Sequence, residues 1–309
     1  MKKTFYSNGK LLITGEYTVL DGAKALALPT KFGQNLEVEV AESGIINWTS
    51  FDADSSVWLK IEISIHDAIN NIQNGTSAEA GTLIRILHHA HLANPEILLA
   101  ATGFEVITKL TFPRYWGLGT SSTLINNIAQ WFGIDAFALL ANSFGGSGYD
   151  IACAQHDTPI IYSLQDGIPT VSPVSFNPVF ANDIYFVYLN QKQNSRQAIA
   201  AYREHRGDIK AILPRIDALT NDVLLAGDTN TIASALEKHE DLMAGVLGIA
   251  PVQERLFPDF KGTVKSLGAW GGDFVMAVAE ENPTQYFNDK GYETVIRYRD
   301  MILQAGFEI

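Results

Sequence analysis

The feature that most constrains this chain is a glycine-bearing turn set between a predicted strand and a predicted helix. The turn, residues 113–122, carries Gly117 and Gly119. Phe104–Leu110 before it is a predicted strand, and Thr123–Phe132 after it is a predicted helix. Glycines let the backbone approach a ligand closely, and the start of a helix offers unpaired N–H groups and the positive end of a dipole. The segment therefore predicts a strand–loop–helix unit that can bind an anion.

The same turn ends in three hydroxyl side chains, which can cap the helix, contact phosphate oxygens or reach a metal ion. They belong to Thr120, Ser121 and Ser122. An ordinary glycine turn followed by a Ser/Thr N-cap explains these residues as well, so the segment alone leaves both interpretations open. It is not a Walker loop, because no Lys-Ser or Lys-Thr pair follows the glycines. It is not a dinucleotide-binding fingerprint either, since Ser122 stands where that motif needs a third glycine.

A second glycine cluster, residues 145–148, lies directly before Tyr149 and Asp150. A carboxylate held by a glycine-rich turn can accept a proton from a hydroxyl group or balance a cation. An Asp that caps the following helix is the alternative, and this position invites it. A serine-hydrolase elbow centred on Ser147 fits badly, because Tyr149 replaces the last glycine of that motif.

A lysine near the N-terminus is a third candidate. Lys10 starts the predicted strand Lys10–Thr14, which is followed by Gly15, Glu16 and Tyr17. A lysine at the edge of a buried strand can reach a phosphate or a catalytic carboxylate. A solvated surface lysine is the commoner outcome for an isolated case.

The pattern of predicted elements changes in the second half of the chain. A strand at Ile184–Leu189 is followed by a long helical region from about Ser195 to Leu256. A third glycine cluster, residues 268–273, then leads into the strand Phe274–Val278. We therefore predict an N-terminal lobe over residues 1–178 and a C-terminal lobe over residues 179–309.

The acidic balance of the chain limits its partners. Lys and Arg total 22 against 34 Asp and Glu in 309 residues, a formal net charge of −12 at pH 7. Nucleic-acid binders show the opposite charge balance. A small anion should therefore bind this acidic protein only at a local feature such as a helix start or a bound cation.

The sequence has one cysteine, no secretory-type apolar stretch and no apolar run long enough to span a membrane. We expect a cytoplasmic protein without nucleic-acid or membrane partners.

Taken together, three motifs resemble the GHMP kinase superfamily, which includes galactokinase, homoserine kinase, mevalonate kinase and phosphomevalonate kinase. Residues 9–27 are similar to its N-terminal motif, Pro113–Ser122 to its phosphate loop, and Leu267–Asp273 to its C-terminal glycine motif. The resemblance covers nearly the whole chain. It implies an α+β fold with two lobes: an N-terminal mixed β/α lobe that carries the phosphate loop, and a C-terminal helical lobe packed on an antiparallel sheet.

The resemblance also implies an ATP- and Mg²⁺-dependent kinase and assigns roles to residues of this chain. Asp150 would be the catalytic carboxylate and Lys10 its cationic neighbour. The loop residues that would bind ATP, with Ser121 also contacting Mg²⁺, are Gly117, Leu118, Gly119, Thr120, Ser121 and Ser122. The expected acceptor contacts are Glu16, Ser147, Gly148, Lys192, Arg196 and Gly271. Phosphoryl transfer suits such residues because its catalysis is mainly positioning and charge neutralisation.

Two segments resemble one branch of the superfamily more than the others. Gly15-Glu16-Tyr17 and the run Ser147–Ala152 are most similar to mevalonate and phosphomevalonate kinases, and the Tyr favours phosphomevalonate kinase. The resemblance implies phosphorylation of phosphomevalonate or mevalonate, a step in making isoprenoid precursors. It leaves open whether the enzyme is a homodimer. With an alcohol acceptor Asp150 would act as the base; with a phosphate acceptor its role would be electrostatic and positional.

Two features depart from the pattern of that branch. Mevalonate kinases commonly carry a Glu that helps to hold Mg²⁺ in the helix before the catalytic Asp, whereas residues 136–144 contain no acid and Asp135 is the nearest one. Trp270 stands where the family usually has glycine or another small residue, and an indole there could narrow the acceptor pocket or prevent turnover. Two alternatives stay open: a kinase-like nucleotide-binding regulator without transfer, and a GHMP kinase for another small alcohol such as homoserine or a sugar.

Overall fold

The computed structural model describes residues 2–193 and 195–304 as alternating groups of strands and helices. The strands are β1 (Lys3–Leu12), β2 (Ala25–Val40), β3 (Ile45–Phe51), β4 (Val57–Ser64), β5 (Phe104–Leu110), β6 (Ile160–Gln165), β7 (Ile168–Pro173), β8 (Ile184–Tyr188), β9 (Thr263–Ser266), β10 (Phe274–Val278) and β11 (Val295–Arg297). The helices are α1 (Ile65–Asn70), α2 (Ala78–Ala93), α3 (Glu96–Leu99), α4 (Thr120–Phe132), α5 (Ala136–Ser143), α6 (Tyr149–Ala154), α7 (Ser195–His205), α8 (Leu213–Leu224), α9 (Thr229–Leu247), α10 (Val252–Leu256), α11 (Thr284–Asp289) and α12 (Tyr298–Met301). None of the helices in these ranges is long and apolar enough to cross a membrane.

The chain divides into two compact units that are each discontinuous in sequence. The first unit holds the residues up to Gly9 together with Phe32–Arg114 and Leu118–Gln155. The second unit holds Lys10–Lys31, Tyr115–Gly117 and the residues from His156 onward. This division differs from the predicted boundary at residues 178 and 179. The reason is that β6 and β7, which precede that boundary, form a hairpin on the first part of β2.

The first unit is a mixed sheet with helices packed on it. Its strands follow the order β4-β3-β5-β2, in which β3 and β5 are parallel and the other neighbours are antiparallel. Buried and exposed residues alternate strictly along β5. One face of the sheet therefore contributes to an apolar core that also includes side chains of α2, α4 and α5.

The second unit contains β6 to β11 and α9, the longest helix of the described residues. β8 to β11 form an antiparallel sheet in the order β11-β8-β10-β9, and α9 and α10 contact β9. Helix α9 begins with a capping box in which Asp228 and Thr231 bind each other's backbone N–H groups. This arrangement confirms the predicted combination of a helical region with an antiparallel sheet.

The local predictions differ from the structure where polar residues occupy buried strands. Local sequence pattern predicts two separate strands at Ala25–Leu28 and Leu36–Val40, which in the structure are parts of the single strand β2. The long predicted helical region consists of α7 to α10. Strand β9 was not predicted, because it contains Lys265, which is fully buried. A lysine is rarely fully buried unless it is paired, so a lysine in a sequence predicts a surface position.

Candidate active site

The phosphate loop ends at the start of helix α4 in the first unit. Gly119 occupies the N-cap position with φ of 99°, a left-handed conformation, and as a glycine it has no side chain with which to cap the helix. Thr123 is tied to this turn because its hydroxyl donates to the carbonyl of Gly119 (3.1 Å) or to Gln34 Oε1 (2.8 Å). The first N–H groups of a helix have no partner within it. This helix start is therefore built to receive an anion.

A pocket of about 290 Å³ lies beside the same helix start and belongs wholly to the first unit. Thr120 and Ser121 of α4 line it together with Trp58, Leu83 and Glu79. The indole N–H of Trp58 is buried and has no hydrogen-bond partner among the residues that the structure describes. An aromatic and aliphatic pocket with a few polar groups, next to a helix start, fits the base and the phosphates of a nucleotide.

The loop residues predicted to bind ATP differ in their exposure to solvent. Leu118 is fully buried, so only its backbone can face a ligand. Ser121 is exposed and Ser122 is half-buried. The hydroxyl of Ser121 is thus accessible at the pocket, as a phosphate or metal contact would require.

Asp150 lies in the first turn of α6, which packs against α4 in the first unit. The glycine cluster predicted from the sequence forms the turn before it, with positive φ at Gly145 (77°), Gly146 (119°) and Gly148 (90°). Ser147 and Asp150 are both half-buried. Asp150 is the second residue of the helix, and Gly148 occupies the N-cap position that the alternative interpretation gave to the Asp.

In the second unit Lys10, Gly117 and Asp273 lie together. The ammonium group of Lys10 donates to the carbonyl of Gly117 at 3.1 Å. The carboxylate of Asp273 occupies the space that a Cβ atom on Gly117 would need, and Gly117 has φ of 69°. Gly117 is therefore required both by its backbone conformation and by the close approach of an acid.

Asp273 is a further candidate site residue, which the motifs of the sequence did not single out. Burial raises the pKa of its carboxyl, while Lys10, the backbone N–H of Gln193 (3.3 Å to Oδ1) and Lys192 oppose the increase. Its φ of 54° is left-handed, and its backbone N–H and C=O are both bound to the segment that follows β8. The available signal was its position as the acid that ends the third glycine cluster.

Glu16, predicted to contact the acceptor, is fully buried in the second unit. One of its carboxylate oxygens pairs with the ammonium group of Lys265, which also donates to the carbonyl of Ser266 at 2.8 Å. Burial raises the pKa of Glu16 to about 7, and the charge of Lys265 opposes this increase. This position favours a supporting role for Glu16 over direct contact with an acceptor.

His239 completes this buried cluster. Its Nε2 accepts a hydrogen bond from the backbone N–H of Gly15 at 3.1 Å and lies 3.6 Å from Glu16. Burial, and secondarily the charge of Lys265, holds the pKa of His239 well below its usual range. A neutral imidazole is consistent with Nε2 acting as an acceptor.

The other predicted acceptor contacts are spread over both units. Ser147 and Gly148 belong to the turn before α6. Lys192 is exposed, with its ammonium group 6.0 Å from the centre of the Tyr115 ring. Gly271 lies beside the side chain of Gln193. Arg196 is in α7, and its side chain is outside the part of the chain that the structure describes.

No group of three or more His, Cys, Asp or Glu side chains is arranged to hold a metal ion within residues 2–193 and 195–304. Asp135, the acid nearest in sequence to residues 136–144, is the N-cap of α5, where its carboxylate accepts from the N–H of Phe137 at 2.8 Å. Mg²⁺ is often held by one or two protein ligands together with substrate phosphates. The residues present fit that kind of site better than an all-protein cage.

Comparison with known proteins identifies the fold. No family model and no curated protein sequence matches the chain. Mevalonate kinase of Methanococcus jannaschii is 14% identical to it with a TM-score of 0.72, and the match covers 98% of this chain and 99% of that one. Streptococcus pneumoniae phosphomevalonate kinase, in complex with phosphomevalonate and AMPPNP, is 14% identical with a TM-score of 0.70, over 96% and 99% of the two chains.

A sugar kinase has the same architecture. Lactococcus lactis galactokinase complexed with galactose is 12% identical with a TM-score of 0.62, over 94% of this chain and 88% of that one. The chain therefore has the fold of the GHMP kinases, and the resemblance that its motifs indicated is confirmed at the level of the fold. At such low identity the fold alone is shown, and the reaction has to be argued from the site.

Proposed function

We propose that the protein is an ATP-dependent small-molecule kinase. The observation that carries this proposal is the pocket at the start of α4, which combines an aromatic lining, an unpartnered indole N–H on Trp58 and a helix start without a side-chain cap. A purine base suits the first two features and a chain of phosphates the third. The kinases that share the fold supply independent support for nucleotide use, since one of them was solved with AMPPNP.

Each half of the proposed reaction has candidate residues. The backbone N–H groups at Thr120 and Ser121 would bind ATP phosphates, and the hydroxyl of Ser121 would contact Mg²⁺. When bound, Mg²⁺ would neutralise charge on the phosphates. Lys10 would contribute a fixed positive charge, since its ammonium group is oriented by the carbonyl of Gly117.

Asp150 is proposed as the acid–base residue. Its half-buried carboxylate lies in the same unit as the start of α4, and the helix that carries it packs on α4. With an alcohol acceptor it would accept the hydroxyl proton as the oxygen attacks the terminal phosphorus of ATP. With a phosphate acceptor it would act through charge and position.

For the acceptor we propose a small acidic compound of the mevalonate type, phosphomevalonate or mevalonate. The proposal rests on Gly15-Glu16-Tyr17 and on the run Ser147–Ala152, which resemble that branch of the superfamily. The named activities of two structural relatives, mevalonate kinase and phosphomevalonate kinase, support it. The galactokinase relative keeps a sugar among the acceptors to be tested.

The decisive experiment is an ADP-release assay with ATP, Mg²⁺ and a panel of mevalonate, phosphomevalonate, homoserine and galactose. We expect turnover of one member, and a loss of at least about 100-fold in kcat for Asp150→Asn if that acceptor is an alcohol. Asp135→Asn is a matched control in the same unit, since Asn is an equally good N-cap and activity should persist. Full activity in Asp150→Asn would exclude Asp150 from the mechanism.

The same experiment tests the regulator alternative. Calorimetry with ATP would detect nucleotide binding independently of transfer. If ATP binds and no panel member is phosphorylated, a nucleotide-binding regulator becomes the better description. If ATP does not bind at all, the proposal for the α4 pocket is wrong.

A further inference from the structure

A second pocket, of about 270 Å³, lies entirely within the second unit. Three aromatic side chains and three polar ones dominate its lining: Tyr17, Tyr202, Trp270, Gln193, Gln197 and His205. A pocket of this size with an aromatic wall and a few polar groups can hold a small organic ligand.

Two of its aromatic residues have an unfavourable backbone conformation. Tyr17 has φ of 56° and Trp270 has φ of 41°. Within the described residues, the other non-glycine residues with positive φ are Ser55, Asn71, Asp166, Asn190 and Asp273. Asn and Asp tolerate this region because their short polar side chains bind locally, whereas bulky side chains are genuine outliers in it. The two bulky exceptions line the same pocket.

Trp270 carries a second unfavourable feature. It is only 4% exposed, and within the described part of the chain its indole N–H has no hydrogen-bond partner. A glycine at this position would avoid both the strained backbone and the unsatisfied donor. Strained residues persist where the surrounding structure determines them, and they cluster at ligand-binding sites. The indole at this position therefore indicates a function in the pocket.

The aromatic walls are held in place. Tyr17 and Tyr202 are stacked with ring centres 5.3 Å apart and an angle of 23°. The hydroxyl of Tyr202 donates to Asp21 at 2.6 Å, and Asp21 also pairs with Arg206. A wall fixed in this way can discriminate between ligands by shape, because it does not rearrange to admit a larger one.

The pocket adjoins the cluster of Lys10 and Asp273 within the same unit. Gln193 belongs to both, because its side chain lines the pocket and its backbone N–H lies 3.3 Å from Asp273 Oδ1. The side chain of Gln193 also packs against Gly271 and Gly272, the two residues that lie between Trp270 and Asp273 in the sequence. A ligand in the pocket would thus lie next to the proposed charged groups.

We propose that this pocket holds the carbon skeleton of the acceptor and that Trp270 sets the largest acceptor it admits. The inference rests on the proposed kinase function and specifies its acceptor: a small hydroxylated compound with an apolar face. The aromatic rings would pack against its C–H groups, and the carboxamides of Gln193 and Gln197 would bind its hydroxyl groups. Trp270 is a specificity-determining residue in this view.

The test compares wild type with Trp270→Gly for pairs of acceptors that differ in size. One pair is mevalonate and its analogue with an ethyl group in place of the methyl branch; the other is homoserine and galactose. We expect Trp270→Gly to raise the preference for the larger member by about 10-fold or more, the discrimination that a pocket exerts on one methylene group. The preference is measured both as kcat/KM and as the dissociation constant from calorimetry.

Acceptor preference, measured beside thermal unfolding, separates this function from simple packing. Trp270 also packs in an apolar cluster with Met243 and Val246, so Trp270→Gly should lower the unfolding temperature as well as change the acceptor preference. A lower unfolding temperature with an unchanged acceptor preference would overturn the inference. Asp166→Gly is the control, since it relieves a φ of 51° in the exposed β6–β7 turn.

Two further comparisons keep the inference testable. If Trp270→Gly does not fold, Trp270→Phe, which keeps an aromatic wall but is smaller, should shift the preference in the same direction by less. If no acceptor is phosphorylated but the binding preferences of the variants shift, the kinase proposal fails while the pocket assignment stands. If an acceptor is phosphorylated and neither variant changes the preference, the pocket assignment is wrong and the kinase proposal stands.

Discussion

At the scale of single residues, the candidate site depends on positions where only one side chain fits. Gly117 is the clearest of them, because a methyl group there would overlap the carboxylate of Asp273. The same glycine supplies the carbonyl that binds Lys10. The sequence predicts Gly117 as a phosphate-loop glycine, but the acid that a side chain there would meet, Asp273, is distant in the sequence. The local sequence pattern predicts the turn at Gly117, and only the folded structure shows that Asp273 lies against it.

Gly117→Ala should therefore be more harmful than an alanine in an ordinary left-handed turn. We expect a loss of at least about 10-fold in kcat/KM, because displacement of Asp273 or of the loop moves Lys10. Gly167→Ala is the control, since Gly167 has φ of 78° and open space around a Cβ. It should lower the unfolding free energy by only about 1–2 kcal/mol and leave the activity unchanged. Equal effects of the two substitutions on activity would contradict the role given to Asp273.

At the scale of elements, a buried ion pair joins two segments that are far apart in the sequence. Glu16 follows β1, and Lys265 lies in β9 directly before the third glycine cluster. His239 of α9 connects a third segment to these two, because it accepts a hydrogen bond from the backbone N–H of Gly15. Burial of charges is costly unless they are paired, so the pair favours one arrangement of the segments that carry Tyr17 and Trp270.

Removal of the lysine should destabilise the fold in a pH-dependent way. Because the folded pKa of Glu16 is about 7, against 4.5 ordinarily, its contribution to stability is present at low pH and is lost as the pH rises through 7. Lys265→Met removes the charge that restrains this pKa. We expect its cost to be about 3–5 kcal/mol at pH 8 and clearly smaller at pH 5, where Glu16 is protonated.

Denaturant unfolding at the two pH values measures this difference. The double variant Glu16→Gln, Lys265→Met is the control, because it leaves no buried charge at the pair. It should be more stable than Lys265→Met at pH 8 and show little change between pH 5 and pH 8. A cost of Lys265→Met that is the same at both pH values would show that the pair does not titrate in this range.

At the scale of the whole molecule, the two units carry different parts of the proposed activity. The first contains the start of α4, the pocket proposed for the nucleotide and Asp150, and the second contains Lys10, Asp273 and the pocket walled by Trp270. The predicted phosphate loop crosses from one unit to the other between Gly117 and Leu118. The proposed nucleotide binding therefore involves the first unit and can be measured without any acceptor.

AMPPNP should stabilise the protein against unfolding in the absence of acceptor. At a concentration of about 100 times its dissociation constant, the expected gain in unfolding free energy is about 2.7 kcal/mol. Hydrogen exchange should slow in the first turn of α4 and in β4, which carries Trp58. Trp58→Phe, which keeps the ring but removes the unpartnered N–H, should weaken the binding. Protection confined to the second unit would contradict the assignment of the pocket.

Much of the fold was accessible from local pattern. Apolar residues at helical spacing from Ser77 to His91 predict a helix, and the structure has α2 there. It begins after Ser77, whose hydroxyl accepts from the N–H of Ala80 as an N-cap residue should. Strand β5 was predicted over its observed bounds. The limits appeared at β2, whose middle residues interrupt the apolar pattern, and at β9, whose buried lysine is neutralised by a partner distant in sequence.

What the sequence by itself determined is the set of turns, glycine clusters and periodic segments, because backbone conformation and amphipathic spacing depend on neighbouring residues. Those features were sufficient to indicate the superfamily fold and to select Lys10, the phosphate loop and Asp150 as candidates. The tertiary structure alone decided that Asp273 meets Gly117, that Glu16 is buried against Lys265, and that Trp270 and Tyr17 wall one pocket. Such pairings follow from strand order and packing between distant segments, and no local spacing encodes them.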